Sequence, residues 1–169
     1  MKILYLSSVR IPSEKASGLA IVRQCQAFVD IGNDLDLLIP VRDSSSKMRS
    51  IKDVYGLEPK FKVVEFSSFS MYKIGKIGFY AMLFFESLKA LWYYYILKDE
   101  FDLVYSRDQR LLAPFVLFGL SEKCYLELHT KYTDLITRLI AKKVKKLIVI
   151  SKGLEEYYKT FADRSHIQI

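Results

Sequence analysis

Cysteine and histidine are scarce in this chain: two of each in 169 residues. Cys25 falls in a helical pattern and Cys124 in a strand pattern, so both read as small buried hydrophobes rather than as a bridge. Two cysteines without a secretion signal point to a reducing compartment, here the cytoplasm. The apolar start, Met1 to Leu6, is too short for a signal peptide, and Ser7, Ser8 and Arg10 interrupt it at once. His129 and His166 lie far apart with no cysteine or second histidine nearby, so no metal-ligand spacing exists and no metal site is expected. The Gly-rich fingerprints G-x-G-x-x-G and G-x-x-x-x-G-K-[ST] are both missing, which argues against nicotinamide and ATP sites. There is no internal repeat and no low-complexity tract.

What is present is a globular composition, 51% hydrophobic and 27% charged, of a size suited to one large domain spanning 1–169. Twelve Tyr and eleven Phe hint at a large aromatic surface. The formal net charge of +7 suits nucleic acid, an anionic membrane surface or phosphorylated small molecules. The one dense cluster, Lys142-Lys143-Val144-Lys145-Lys146, reads first as a solvated helix end, where cations are favoured. It is too short, and too far from interleaved aromatics, to carry nucleic-acid binding, so no nucleic-acid partner is expected.

Apolar runs and helical patterns alternate along the chain. Strands are expected over 2–7, 35–39 (stopped by Pro40), 61–66, 102–105, 123–128 and 146–150, with a seventh starting at Ile167. Between them come a helix from Gly18 to Gly32, with Leu19, Val22, Ala27 and Val29 near helical spacing, and a serine-rich loop over 42–50 leading into a short helix. A long helical pattern over 74–97 and helices over 109–120, 132–143 and 152–162 complete the series. This alternation predicts an α/β, doubly wound, mostly parallel Rossmann-like sheet.

Three polar clusters each follow an apolar run: Ser106-Arg107-Asp108, His129-Thr130-Lys131 and Ser151-Lys152-Gly153. In an open parallel sheet, ligands bind beyond the carboxyl ends of the strands, so the clusters suggest one site. Strand alternation puts Glu127 and His129 on the same side, where the carboxylate can orient the imidazole. A lone histidine is usually structural, but His129 stands at a strand end and is the candidate catalytic residue. Arg107 offers bidentate binding to phosphate or carboxylate and is a candidate substrate ligand, alongside a purely structural role. Asp108 and Ser151 sit where helix N-caps belong. Ser17 and Gly18 open the first helix, where backbone N–H groups can approach an anion, or where the glycine merely serves the turn.

The same residues carry a resemblance. The opening strand Met1-Lys2-Ile3-Leu4-Tyr5-Leu6, the loop into Gly18-Leu19-Ala20-Ile21-Val22-Arg23, and Gly32-Asn33-Asp34-Leu35 resemble the start of family 4 glycosyltransferases. Leu103 to Asp108, Glu127-Leu128-His129 and Val149 to Leu154 resemble three further stations of that family, in the family's order. The likeness covers most of the chain except about 42–100. It implies the GT-B fold, two Rossmann-like domains across a cleft, and retaining transfer of a sugar from a nucleotide sugar without a bound metal or other cofactor. It also implies that this chain is the N-terminal, acceptor-side domain, that Gly18 sits near the donor diphosphate and that His129 faces the donor sugar. Two departures stand out. The family's G-H-x-V histidine is missing at Asn33, and no two glutamates here stand eight positions apart, the spacing carried by the family's donor domain. The chain thus resembles an N-terminal half alone, its nucleotide-sugar donor held by an absent C-terminal domain, with little activity by itself. The reading from a different class is a non-catalytic α/β binding module that pairs with a separate catalytic subunit.

The segment 79–97, FYAMLFFESLKALWYYYIL, is nearly long enough to span a bilayer, but Glu86 and Lys89 near its middle argue against spanning. Ile77, Ala81, Phe84, Leu88, Leu91 and Tyr95 form a stripe expected to pack on the sheet, with Phe79, Leu83, Tyr93, Tyr94 and Leu97 largely outside it. A helix apolar all round is either deeply buried or covered by a partner. Core packing, a dimer interface and peripheral contact with the inner membrane surface all remain open for it, the last because Tyr and Trp suit headgroup depth.

Overall fold

The computed structural model describes residues 1–41, 50–69, 75–97 and 100–169. The strands are β1 (Lys2–Leu6), β2 (Asp34–Val41), β3 (Lys62–Ser67), β4 (Leu103–Ser106), β5 (Cys124–Leu128), β6 (Lys146–Val149) and β7 (Ile167–Gln168). The helices are α1 (Ala16–Asp30), α2 (Ile51–Tyr55), α3 (Gly75–Ile96), α4 (Gln109–Leu117), α5 (Leu135–Lys143) and α6 (Lys152–Lys159). All strand pairs are parallel, in the order β3-β2-β1-β4-β5-β6-β7. This is the Rossmann-like α/β sheet expected from the alternation. The loop expected over 42–50 falls outside the described residues at 42–49, as does position 74 of the long helical pattern.

Strand alternation divides the core into two layers. Ile3, Tyr5, Leu35, Leu37, Ile39, Leu103 and Tyr105 face α1 and α2. Leu4, Leu6, Leu38, Val104, Leu126, Leu128, Leu147 and Val149 face α3, α4, α5 and α6. A strand covered on both sides has no polar face to show, which is why β1 and β2 are mostly apolar, with Asp36 the buried exception in β2. Cys25 and Cys124 are buried and free, one in each layer.

Three expectations are corrected. β2 does not stop at Pro40 but runs on to Val41, with Pro40 opposite Phe66 of β3. Its pairing with β1 ends at Leu38, so the missing proline N–H lies where there is no strand left to receive it. In α1 the buried face is Gly18, Ile21, Val22 and Cys25, while Ala27 is exposed. In α3 the stripe assigned to the sheet is only partly buried: its Leu91 is buried but Ile77, Phe84 and Tyr95 are exposed, whereas Met82, Leu83, Ala90 and Tyr94, outside it, are buried. Period alone shows that a stripe exists, and here both sides of the helix are apolar. The sheet-facing side is fixed by polar anchors: Tyr93 donates to the buried Asp36 at 2.7 Å, and Ser68 donates to the buried Glu86 at 2.6 Å.

Caps set the helix starts. Asp108, Asp134 and Ser151 accept the backbone N–H groups of Arg110, Thr137 and Leu154. The Asp134 cap explains why α5 begins at Leu135 rather than at 132, and Asp108 and Ser151 take the capping roles expected of them. α1 has no side-chain cap. Its Gly18 instead admits the Tyr55 hydroxyl, which is held between the N–H and carbonyl of Ser13 at 2.8 Å each. A Cβ on Gly18 would overlap that tethered hydroxyl and lie 2.9 Å from Ser13 Oγ. Gly18→Ala is therefore expected to cost about 1–3 kcal/mol in urea denaturation, and less than that in a Tyr55→Phe background. An equal cost in both backgrounds would refute this account of Gly18.

Candidate functional site

Seven parallel strands place all their carboxyl ends along one edge. β1 and β4 are neighbours there, yet the chain leaves β1 towards β2 on one side and leaves β4 towards β5 on the other. A crevice opens where strand order reverses in this way. It is a cavity of about 120 Å³, lined by Ser7, Ser8 and Val9 after β1, by Arg107, Asp108 and Arg110 after β4, and by Tyr132 after β5. Its walls are cross-tied. Ser106 Oγ donates to the Leu6 carbonyl at 3.0 Å, and Ser8 Oγ donates to the Asp108 carboxylate at 2.7 Å.

Beside the crevice lies a buried carboxylate with four polar partners. Glu127 Oε1 forms an ion pair with Arg107 Nη2 at 2.9 Å and accepts from His129 Nε2, while Oε2 accepts from the Tyr105 hydroxyl and from Gln24 of α1 at 2.5 Å. The strand register explains the lateral pairs. Tyr105 lies opposite Tyr125, so the next same-side residues, Arg107 and Glu127, face each other one step on. Gln24 extends the chain inward by accepting from Tyr5 at 2.8 Å. Glu127 is only 5% exposed, while 43% of the His129 side chain remains open to solvent. The result is a partly exposed imidazole held by a buried carboxylate that is itself paired with an arginine of the crevice wall.

Electrostatics follow from this packing. Burial disfavours the ionised form of Glu127, but hydrogen bonds from Tyr105 and Gln24, the Arg107 charge and the His129 contact outweigh it and hold the group below the usual carboxylate range. Burial first, then the hydrogen bond to Glu127, pushes the Tyr105 phenol far above its ordinary range, so it stays a donor. A carboxylate only accepts, so His129 donates from Nε2 and its neutral form keeps Nδ1 as an acceptor. Arg107 Nε is buried with no hydrogen-bond partner among the described residues.

The structure thus brings Arg107 and His129 together. It leaves Ser17 exposed at the start of α1 and Gly18 buried against Tyr55, with no contact to the Glu127 group. Ser151 caps α6, and Lys152 and Gly153 are exposed. Several residues were missed by sequence reasoning: Tyr105, Gln24, Ser8, Arg110 and Tyr132. The spacing Tyr105-x-Arg107 beside Glu127-x-His129 was a usable signal, since both pairs end adjacent strands. Tyr132 had none. Its loop is pinned by α6, where Tyr157 and Tyr158 donate to the Tyr132 and Thr130 carbonyls at 2.8 and 2.9 Å. Among the described residues no group of three His, Cys, Asp or Glu side chains is placed to hold a metal ion.

No family model and no curated sequence matches the chain. Solved structures do match its fold. Sucrose-phosphate synthase from Thermosynechococcus elongatus superposes with a TM-score of 0.72 at 11% identity, over 99% of this chain and 47% of that one. HepE from Anabaena, solved in complex with UDP and glucose, superposes with a TM-score of 0.57 at 14% identity, over 99% of this chain and 43% of that one. HepE in complex with UDP-glucose gives 0.58 at 12% identity. These neighbours are GT-B glycosyltransferases, and the chain spans less than half the length of each. The chain thus shares with these structures a Rossmann-like α/β fold.

The cluster makes a pH prediction. Because the folded-state pKa of Glu127 lies below its ordinary value of 4.5, its stabilisation is complete above that pH and is lost as pH falls through the depressed value. Glu127→Gln is expected to lower stability at neutral pH by about 3 kcal/mol. The gap to the wild type should narrow in acid, as read by denaturation between neutral pH and about pH 3. A gap constant with pH would sink the assignment.

Proposed function

We propose that this chain is the acceptor-side domain of a retaining glycosyltransferase that moves a sugar from a nucleotide sugar to a saccharide or lipid-linked acceptor. The observation that carries the reading is the Arg107–Glu127–His129 group beside the crevice between β1 and β4, on a fold found in proteins solved with UDP-glucose. Support for a donor side lying outside these residues is that the chain spans under half of its structural neighbours and carries no glutamate pair eight positions apart.

In this reading the acceptor enters the crevice, where Arg110 and Tyr132 offer hydrogen bonds, and Arg107 forms the wall shared with the catalytic group. His129 faces the donor sugar. Glu127 fixes its ring and tautomer and balances positive charge developing near the anomeric carbon as the leaving diphosphate departs. Glu127 acts through the imidazole and is a positioning residue. Ser17 and Gly18 lie at the start of α1, which has no side-chain cap and whose positive dipole end suits a diphosphate.

Nuclear magnetic resonance of the labelled chain tests this directly. Acceptor oligosaccharides are expected to shift the signals of Ser8, Arg107 and His129, and Arg107→Ala should weaken that binding by about tenfold or more. The chain alone should turn over little UDP-glucose. Robust turnover would overturn the half-enzyme reading. Acceptor binding indifferent to Arg107 and His129 would favour a non-catalytic binding module instead.

A further inference from the structure

α3 carries a second apolar face that is largely exposed among the described residues. Ile77, Tyr80, Phe84, Phe85, Trp92 and Tyr95 lie along it, each between 45% and 79% exposed. On a helix these positions fall within one broad stripe, opposite the buried Met82, Glu86 and Ala90. The single carboxylate of α3 is Glu86, 1% exposed and turned to the sheet side, so the outer face carries no negative charge. Cations border it: Lys76 is exposed at its start, Lys89 lies over the ring of Phe69, and Arg110 of α4 stacks over Tyr80 at 5.3 Å.

We propose that this face docks on an anionic lipid bilayer, lying in the headgroup region rather than crossing it. No helix among the described residues is long and apolar enough to span a membrane. Indole and phenol rings are at home at headgroup depth, and a basic surface is drawn to anionic lipid. Charge complementarity selects this occupant over a second copy of the chain. Each copy carries a net charge of +7, so two copies meeting through this face would bring like charges together. The two residues that argued against spanning are compatible with docking, since the Glu86 charge is buried and Lys89 stands at the border. Docking would also orient the crevice, because Arg110 both lines the cavity and stacks on Tyr80. The inference does not depend on the transferase reading.

Trp92 is the only tryptophan in the chain and stands on this face, 69% exposed. Its fluorescence therefore reports docking directly. With phosphatidylcholine vesicles containing phosphatidylglycerol, the emission should shift to the blue. Binding should weaken by on the order of tenfold or more with pure phosphatidylcholine or at high salt. Phe84→Ser with Phe85→Ser, both exposed positions, should abolish the shift while the circular dichroism spectrum is unchanged. No shift at low salt, or equal binding to neutral vesicles, would overturn the proposal. So would a blue shift that grows with protein concentration without lipid, accompanied by dimer sedimentation.

Discussion

A carboxylate buried at the end of a central strand must be surrounded by donors, and that requirement organises the upper edge of this molecule. Isolated in an apolar layer, Glu127 would be neutral or would destabilise the fold. Tyr105, Gln24, Arg107 and His129 together keep it ionised. They come from α1, from the end of β4 and from the end of β5, and each is thereby constrained. Gln24 ties α1 to the sheet, Tyr105 fills the layer beneath it, Arg107 is turned towards β5, and His129 is held by the carboxylate. The crevice beside them inherits its rigidity from the same ties and from the Ser106–Leu6 and Ser8–Asp108 bonds.

The layer arrangement explains why the site lies where it does. Parallel strands collect their carboxyl ends at one edge, and the reversal of strand order at β1 and β4 leaves a gap that neither helix layer fills. Polar residues at those ends escape the desolvation that would exclude them from the strand interiors. The concentration of hydroxyl, guanidinium and imidazole groups there is therefore a consequence of the fold, and the partnership with Glu127 turns that concentration into a specific constellation.

α3 shows the opposite case, in which burial is incomplete. One side is held to the sheet by Tyr94, Leu91 and Ala90 and is oriented by the Tyr93–Asp36 and Ser68–Glu86 bonds. The other is as apolar and stays open. A helix with two apolar sides can meet two surfaces, and among the described residues one of its sides is covered by the sheet and α4.

By itself the sequence determined the alternation of strands and helices, the caps at Asp108 and Ser151, and the edge at which Arg107 and His129 would be found. Those follow from local physics: period, turn chemistry and the direction of parallel strands. Only the tertiary structure decided that Arg107 pairs with Glu127, that Gln24 completes the carboxylate's shell, and that Gly18 yields its space to Tyr55. The same holds for the stripe of α3, whose Ile77, Phe84 and Tyr95 face outward. These depend on the register between strands and on which of two similar surfaces meets the sheet. Both are settled by contacts between residues remote in the chain, and no local pattern encodes them.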